Sequence, residues 1–228
     1  TGLIVCKLGV GMGEIRLLYI RQLVDAASLS QFVIKPILEH LEKGSVRLKA
    51  EKLAYSVISA DECSVRDDLS AVADHILMGH AVILPSHDER YIVVNVREIA
   101  RRAIHTPDFA YSILGPKDCF VEDLDVNLSL IRYRLKDPKL KIDMFELGKR
   151  TKSSFAVIYI EDIANEDVIA QIGARLRAID TDAIWGTGDV SSYLSNTPHD
   201  LFEQVRVTER SDAACEAIVE GKAVLLGN

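Results

Sequence analysis

The sequence predicts an α/β protein made of two similar small α/β subdomains, each with a mixed sheet flanked by helices. Segments with strand periodicity alternate with segments of helical periodicity along the chain. Two blocks of sequence recur in the same order, which indicates an internal duplication. The chain has 228 residues, 48% of them hydrophobic, enough to fill two small cores. We expect the subdomains to cover residues 1–112 and 113–228, with a connector helix and strand opening the second.

Charge and cysteine content narrow the function classes. A net charge of −7 argues against binding to nucleic acid, and against attachment to anionic lipid by charge alone. No apolar run approaches the roughly 18 residues that cross a bilayer. The cysteines lie far apart without a CxxC motif, which favours buried thiols over a zinc, redox or disulfide site; they are Cys6, Cys63, Cys119 and Cys215. We expect no cofactor and no metal.

The first subdomain opens with two strand-like runs, residues 3–8 and 15–20. Gly9, Gly11 and Gly13 stand between them at alternate positions. Their spacing is not GxGxxG, and a strand follows instead of a helix. A hairpin turn that needs positive φ is therefore favoured over a phosphate loop.

A helix is predicted to begin at Ser28, with Gln31 in the capping-box position. Apolar residues mark one helical face through residue 41, and Pro36 is expected to kink or divide the helix. Residues 53–58 are predicted to be extended. The remaining elements of this half are a helix capped by Asp67 or Asp68 and ended by Gly79, and strands at 81–84 and 91–96.

The middle of the chain is predicted to form a helix capped by Asp123, with an apolar stripe that ends before Asp137-Pro138. Alternating apolar residues then predict a strand at 140–144. The later elements are a buried strand at 155–160, a helix opened by Asn165, a short strand at 204–207, a helix capped by Ser211 and ended by Gly221, and a strand at 223–226.

The duplication is carried by two blocks. Residues 17–38 match residues 157–178, with Tyr19 on Tyr159, an offset of 140. Residues 73–85 match residues 215–227, with Gly79 on Gly221, an offset of 142. Paired lobes create a cleft or an interface, where a ligand or partner often binds.

No catalytic motif is recognisable in the sequence. GxSxG, HExxH, P-loop and cysteine–histidine patterns are absent, and the spacing of the carboxylates singles out no acid–base pair. A basic cluster is formed by Arg150, Thr151 and Lys152, and the sequence allows three interpretations of it. The cluster binds an anion, pairs with the acidic residues at 118–125, or lies in solvent.

Several motifs together resemble one known family. They are Gly115-Pro116-Lys117-Asp118-x-Phe120-Val121-Glu122, Asn127, Leu130-Ile131-Arg132-x-Arg134-Leu135, Gly148-Lys149-Arg150-Thr151-Lys152, Thr208-Glu209-Arg210-Ser211-Asp212 and Glu220-Gly221. This pattern resembles the A subunit of the spore germinant receptors, the GerA-type spore germination proteins. It is dense from about residue 115 onward and looser before. Lys149 stands where arginine is common, and Ser211 where proline is expected.

The resemblance implies the soluble N-terminal domain of a larger membrane protein, with transmembrane helices expected after Asn228. Such receptors are expected to respond to small nutrients together with B and C subunits in the spore inner membrane. This domain would then lie on the cytoplasmic (core) side. A sporulation paralogue with the same architecture stays open as an alternative.

The leading hypothesis is a non-enzymatic domain that assembles the receptor and relays its nutrient signal. The candidate residues for partner or ligand binding are Asp118, Glu122, Asn127, Arg132, Arg134, Arg150, Thr151, Glu209 and Arg210. Expected partners are the B and C subunits, with self-association and a small nutrient ligand as further options.

The alternative hypothesis is a module that binds an amino acid or anion in the cleft between the subdomains, near Arg150 and Arg210. An enzyme acting on a small metabolite ranks last.

Overall fold

The computed structural model describes residues 2–9, 14–42, 49–60, 62–97, 118–194 and 205–227. The chain divides into two compact units, Gly2–Ile99 and Ala100–Asn228, called here the first and second unit. The subdomain boundary predicted between residues 112 and 113 lies outside the described residues. The α/β fold class is confirmed in both units.

The first unit is built on a five-stranded sheet with the order β1-β2-β4-β5-β3. Its strands are β1 (Leu3–Leu8), β2 (Ile15–Ile20), β3 (Cys63–Arg66), β4 (Ala81–Pro85) and β5 (Tyr91–Val94). Its α-helices are α1 (Ala26–Leu29), α2 (Lys35–Glu42), α3 (Ala50–Ser56) and α4 (Val72–Leu77). One core packs around β2, α2 and α3, and a second packs around α4 and β5.

The helical stretch after β2 begins earlier than predicted. Asp25, not Ser28, is the N-cap, because its carboxylate accepts a hydrogen bond from the Ala27 N–H at 3.0 Å. Between α1 and α2 the chain makes a π-helical turn over Ser30–Ile34. That wide turn ends two residues before Pro36, whose ring would clash with a carbonyl of a regular helix. The proline therefore widens the helix instead of dividing it.

Residues 53–58 were predicted to be extended, and this prediction was wrong. They belong largely to α3. Ala50, Leu53 and Ala54 are its buried residues, and their i, i+3, i+4 spacing gives one helical face against the core. The segment predicted to be extended begins at Leu53, so it leaves out Ala50, the first residue of this helical face.

The second unit has a three-stranded sheet with the order β6-β7-β8. Its strands are β6 (Leu140–Leu147), β7 (Ser153–Ile160) and β8 (Val224–Gly227). Its helices are α5 (Leu124–Arg134), α6 (Glu166–Ala178), α7 (Thr187–Leu194) and α8 (Ser211–Val219). One core lies between the sheet and helices α5 and α8, and the other is formed with α6 and α7. Residues 205–207 are not in a strand, so the strand predicted at 204–207 is absent from its described part.

Every strand pair of the described residues is antiparallel, although mixed sheets were expected. β1–β2 and β6–β7 are consecutive along the chain. β2 and β4, and likewise β7 and β8, pair antiparallel across connections that contain more than one helix.

The two recurring sequence blocks adopt matching internal geometry. In the first unit Leu17 pairs with Ile83 and Leu18 with Val82. In the second, Val157 pairs with Leu225 and Ile158 with Val224, at the offsets of 140 and 142 noted in the sequence. The duplication itself stays a prediction, and this shared register supports it.

A glycine ends the helix before the last matched strand in each unit. Gly79 and Gly221 have φ of 89° and 86°. A Cβ at Gly79 would meet the Leu23 carbonyl oxygen at 3.2 Å, and one at Gly221 would meet the Ile163 carbonyl oxygen at 3.0 Å. Both positions therefore require glycine, for backbone conformation and for space.

Candidate functional site

The segment 118–121 lies between α5 and the start of α8. Cys119 forms an isolated antiparallel bridge with Arg210, and the Phe120 N–H donates to the Glu209 carbonyl at 2.8 Å. The Ser211 hydroxyl donates to the Asp118 carbonyl at 3.0 Å. These bonds attach the segment to the chain that enters α8.

Asn127 attaches the same segment to α5. Its side chain is buried, with 2% exposure. The Val121 N–H donates to Asn127 Oδ1 at 2.8 Å, and Asn127 Nδ2 donates to the Val121 carbonyl at 2.6 Å. The amide thus satisfies both backbone groups of Val121, as a neighbouring strand would.

Charged pairs extend this network, called here the α5–α8 network. Arg134 Nη2 lies 2.7 Å from Asp118 Oδ2. Arg210 donates to both carboxylate oxygens of Asp212, at 3.0 and 2.5 Å. The hydrogen bonds from Arg210 lower the pKa of Asp212, so this carboxylate stays ionised in a fixed geometry. Arg132, on α5, is only 4% exposed, and burial lowers its pKa.

A shallow groove runs beside the network, between the end of α5 and α8. Its volume is about 320 Å³, and it is lined by Arg134, Leu135, Asp212, Cys215, Glu216, Val219 and Glu220. Its apolar lining comes from Leu135, Cys215 and Val219, and its charged lining from Arg134, Asp212, Glu216 and Glu220. Burial raises the pKa of the Cys215 thiol to about 11, so the thiol is protonated and weakly nucleophilic at neutral pH.

The β6–β7 turn carries Arg150 and Thr151. Thr151 Oγ1 accepts a hydrogen bond from the Ile184 N–H at 3.2 Å, and the Arg150 N–H donates to the Asp182 carbonyl at 2.8 Å. The Arg150 side chain is 82% exposed, with Nε 3.6 Å from Asp182 Oδ2. Lys149 forms an ion pair with Asp180. The acids beside this turn are thus those of the 180–182 loop, and not those at 118–125.

The described residues contain neither a metal-binding cluster nor a membrane-spanning helix. No group of three or more histidine, cysteine, aspartate or glutamate side chains there is placed to hold a metal ion. Over the same ranges, no helix has both the length and the apolar character needed to cross a bilayer.

Comparison with known proteins identifies the family. The family model described as Bacillus/Clostridium GerA spore germination protein matches residues 3–228. The chain belongs to the GerA family. Spore germination protein GerLA of Bacillus cereus is 30% identical over 204 residues, which cover 90% of this chain and 41% of that protein. Stage V sporulation protein AF of Bacillus subtilis is 27% identical over 221 residues, covering 96% and 45%.

One solved structure similar to this GerA-family chain is the N-terminal domain of the A subunit of the Bacillus megaterium spore germinant receptor GerK3. The TM-score is 0.71 at 21% identity, covering 100% of this chain and 84% of the solved one. This likeness shows the fold. The chain spans less than half the length of the curated relatives, including 40% of the uncharacterized membrane protein YfkQ of Bacillus subtilis, to which it is 27% identical.

The structure places the predicted residues of this GerA-family chain in separate locations. Five lie in the α5–α8 network: Asp118, Asn127, Arg134, Glu209 and Arg210. Arg132 is buried on α5, and Glu122 is exposed beside the network. Arg150 and Thr151 lie in the β6–β7 turn.

Sequence reasoning missed the contribution of α8 to the site. Ser211 was predicted as the cap, but Arg210 is the N-cap residue and Ser211 is the first helical residue, fully buried against the Asp118 carbonyl. Asp212 and Cys215 were not selected. Asp212 could have been selected from the sequence, because an acidic residue in the first turn of a helix, two residues after an arginine, is placed to pair with it.

Proposed function

We propose that this chain is the N-terminal domain of a germinant-receptor A subunit, and that it is non-enzymatic and acts in receptor assembly and nutrient signal relay during spore germination. The GerA match over residues 3–228 carries the proposal. The fold shared with the GerK3 A-subunit domain supports it. The α5–α8 network supports a relay role, because its polar groups satisfy one another and a shift of one element disturbs the bonds of the others.

The partners in this proposal are the receptor's B and C subunits. The location is the spore inner membrane, with this domain on the cytoplasmic side and the membrane segments outside the chain. The relatives support it because they are more than twice as long as the stretch they share with this chain. The net charge of −7 supports protein partners over nucleic acid.

The test is germination of spores that carry Glu122→Ala or Arg150→Ala in the full-length protein. Both side chains are exposed, so the fold should tolerate either change. We expect slower loss of optical density after nutrient addition, at normal receptor abundance by immunoblot. Glu161→Ala, at an exposed position after β7, is the matched control and should germinate normally. Normal germination of both test variants would remove the signalling role of these residues.

A second candidate function is favoured by the groove beside α8. Its volume of about 320 Å³ and its mixed lining of apolar, basic and acidic side chains suit a small zwitterion. A bound amino acid should raise the Tm with concentration. Val219→Trp would fill the groove and abolish that rise, whereas Val168→Trp, exposed on α6, would not. A screen of amino acids and phosphorylated metabolites without any Tm shift would reject this function.

A further inference from the structure

Among the described residues, β8 lies at an edge of its sheet, whereas its counterpart β4 lies inside a sheet. β4 pairs with β2 on one side and with β5 on the other. β8 pairs with β7, and no strand of the described residues lies on its other side. Since β7–β8 has the same register as β2–β4, the open edge of β8 corresponds to the edge where β5 binds β4.

Burial of matched residues shows what the open edge lacks. Ala81, Val82 and Ile83 of β4 are all 0% exposed and pair with β5. Their counterparts are only partly buried; these are Ala223, Val224 and Leu225. The difference has the direction expected from a missing neighbouring strand.

The residues against the two helix-ending glycines differ in the same way. Leu23 is 5% exposed, because it packs in one cluster with Tyr91 and Val93 of β5. Ile163 makes the equivalent backbone approach to Gly221 but is 50% exposed. Ile163 therefore exposes an apolar side chain at a position that is buried in the first unit.

Apart from its short length of four residues, the β8 edge lacks the features that protect a free edge. Natural edges are short, or carry charges, proline or bulges that block further pairing. β6, the other edge of this sheet, has Asp143 and Glu146 exposed. β8 reads Val-Leu-Leu-Gly, without charge or proline.

We propose that the open edge of β8 is a strand-acceptor site, filled in the longer protein by the polypeptide that continues from residue 228. That segment would turn back and pair antiparallel with β8, as β5 pairs with β4. β8 ends at Gly227, the counterpart of Pro85, and five residues (86–90) separate β4 from β5. The new strand therefore begins about five residues beyond β8.

The partner strand has a defined chemistry. All four residues of β5 are buried, and β5 is itself flanked by β3, whereas the added strand would form the new edge. We therefore expect apolar, β-branched or aromatic residues at alternate positions of the added strand, on the face toward the core. The relatives are longer than the stretch they share with this chain, which covers 41% of GerLA. The proposal shares one premise with the function proposed above, namely that this chain is part of a longer protein, and is otherwise independent of it.

The test compares the 228-residue chain with the same chain extended by the next twenty or so residues of its own reading frame. Backbone amide exchange is measured residue by residue by NMR. In the extended chain, the outward amides of Val224–Gly227 should exchange about tenfold or more slowly, because they gain hydrogen bonds. The amides of β6 serve as the internal control and should not change.

Two further variants separate pairing from a general gain in stability. Replacing the two central residues of the added strand by proline should restore fast exchange in β8. Ile163→Ala should lower the Tm of the extended chain more than that of the 228-residue chain, because the added strand covers Ile163.

Three outcomes would overturn the proposal. One is unchanged exchange of β8 in the extended chain, and another is a stop codon directly after residue 228. The third is protection of β8 in the 228-residue chain that grows with protein concentration, which would mean that a second copy fills the edge.

Discussion

At the scale of single residues, a side-chain amide takes the place of a peptide group. Asn127 lies on a helix, yet it bonds the N–H and the carbonyl of Val121 as a paired strand would. The sequence placed Asn127 among the candidate residues through the family pattern. Its role could not be predicted, because the bond joins side chain to backbone six residues away and needs the bend between them.

Asn127→Ala is expected to destabilise the chain by about 2–3 kcal/mol, because it leaves two backbone groups of Val121 without partners. Urea unfolding of both proteins gives the difference. Asn95→Ala is the control, because Asn95 is exposed and its hydrogen bonds with Glu62 and the Arg97 N–H can be replaced by water, so the change should cost about 1 kcal/mol or less. Equal losses for the two variants would contradict the structural role of Asn127.

A second residue-scale prediction concerns acid stability. Asp88 accepts hydrogen bonds from Arg90 and from the Ala50 N–H at the start of α3, and these lower its pKa to about 2. A depressed folded-state pKa stabilises the protein above the unfolded pKa, and this contribution is lost as pH falls from about 4 toward 2. The stability difference between wild type and Asp88→Asn should therefore shrink in that range. Asp74→Asn, exposed on α4, is the control in the same urea titrations. If the stability difference between wild type and Asp88→Asn stayed constant with pH, the stabilising role of the ionised Asp88 would be refuted.

At the scale of elements, local signals predicted what lies within one helix or hairpin. Asp123 and Asn165 are the N-caps of α5 and α6, as their sequences indicated, and each side chain accepts a backbone N–H. The direction of β8 relative to β7 was not predictable from such signals, since residues 161–223 lie between the two strands and their pairing is a long-range contact. Local periodicity carries no information on that pairing.

The helix-ending glycines give the element-scale prediction. Gly221→Ala should destabilise the chain by at least about 1–2 kcal/mol, because alanine at φ of 86° is strained and its Cβ lies 3.0 Å from the Ile163 carbonyl. Gly186→Ala is the matched control, since a Cβ there meets nothing within 4 Å. Thermal unfolding compares the two. A Gly221→Ala protein as stable as Gly186→Ala would show that the turn relaxes freely.

At the scale of the whole molecule, each unit has its own sheet and its own buried clusters. We expect residues 2–97, expressed alone, to unfold in one cooperative transition in urea, followed by circular dichroism. Ile83→Asp, in the middle of that sheet, is the control and should abolish the transition. A gradual loss of signal in the unsubstituted fragment would mean that the first unit depends on the second.

The position of the first unit's sheet in the sequence has a consequence for the order of events during synthesis. All five of its strands come from residues 3–94, so the ribosome has synthesised everything this sheet needs before α5 is translated. At about 5–20 residues per second, the remaining chain up to residue 228 takes several seconds more. The first unit can thus become protease-resistant on the nascent chain while β8 is still untranslated.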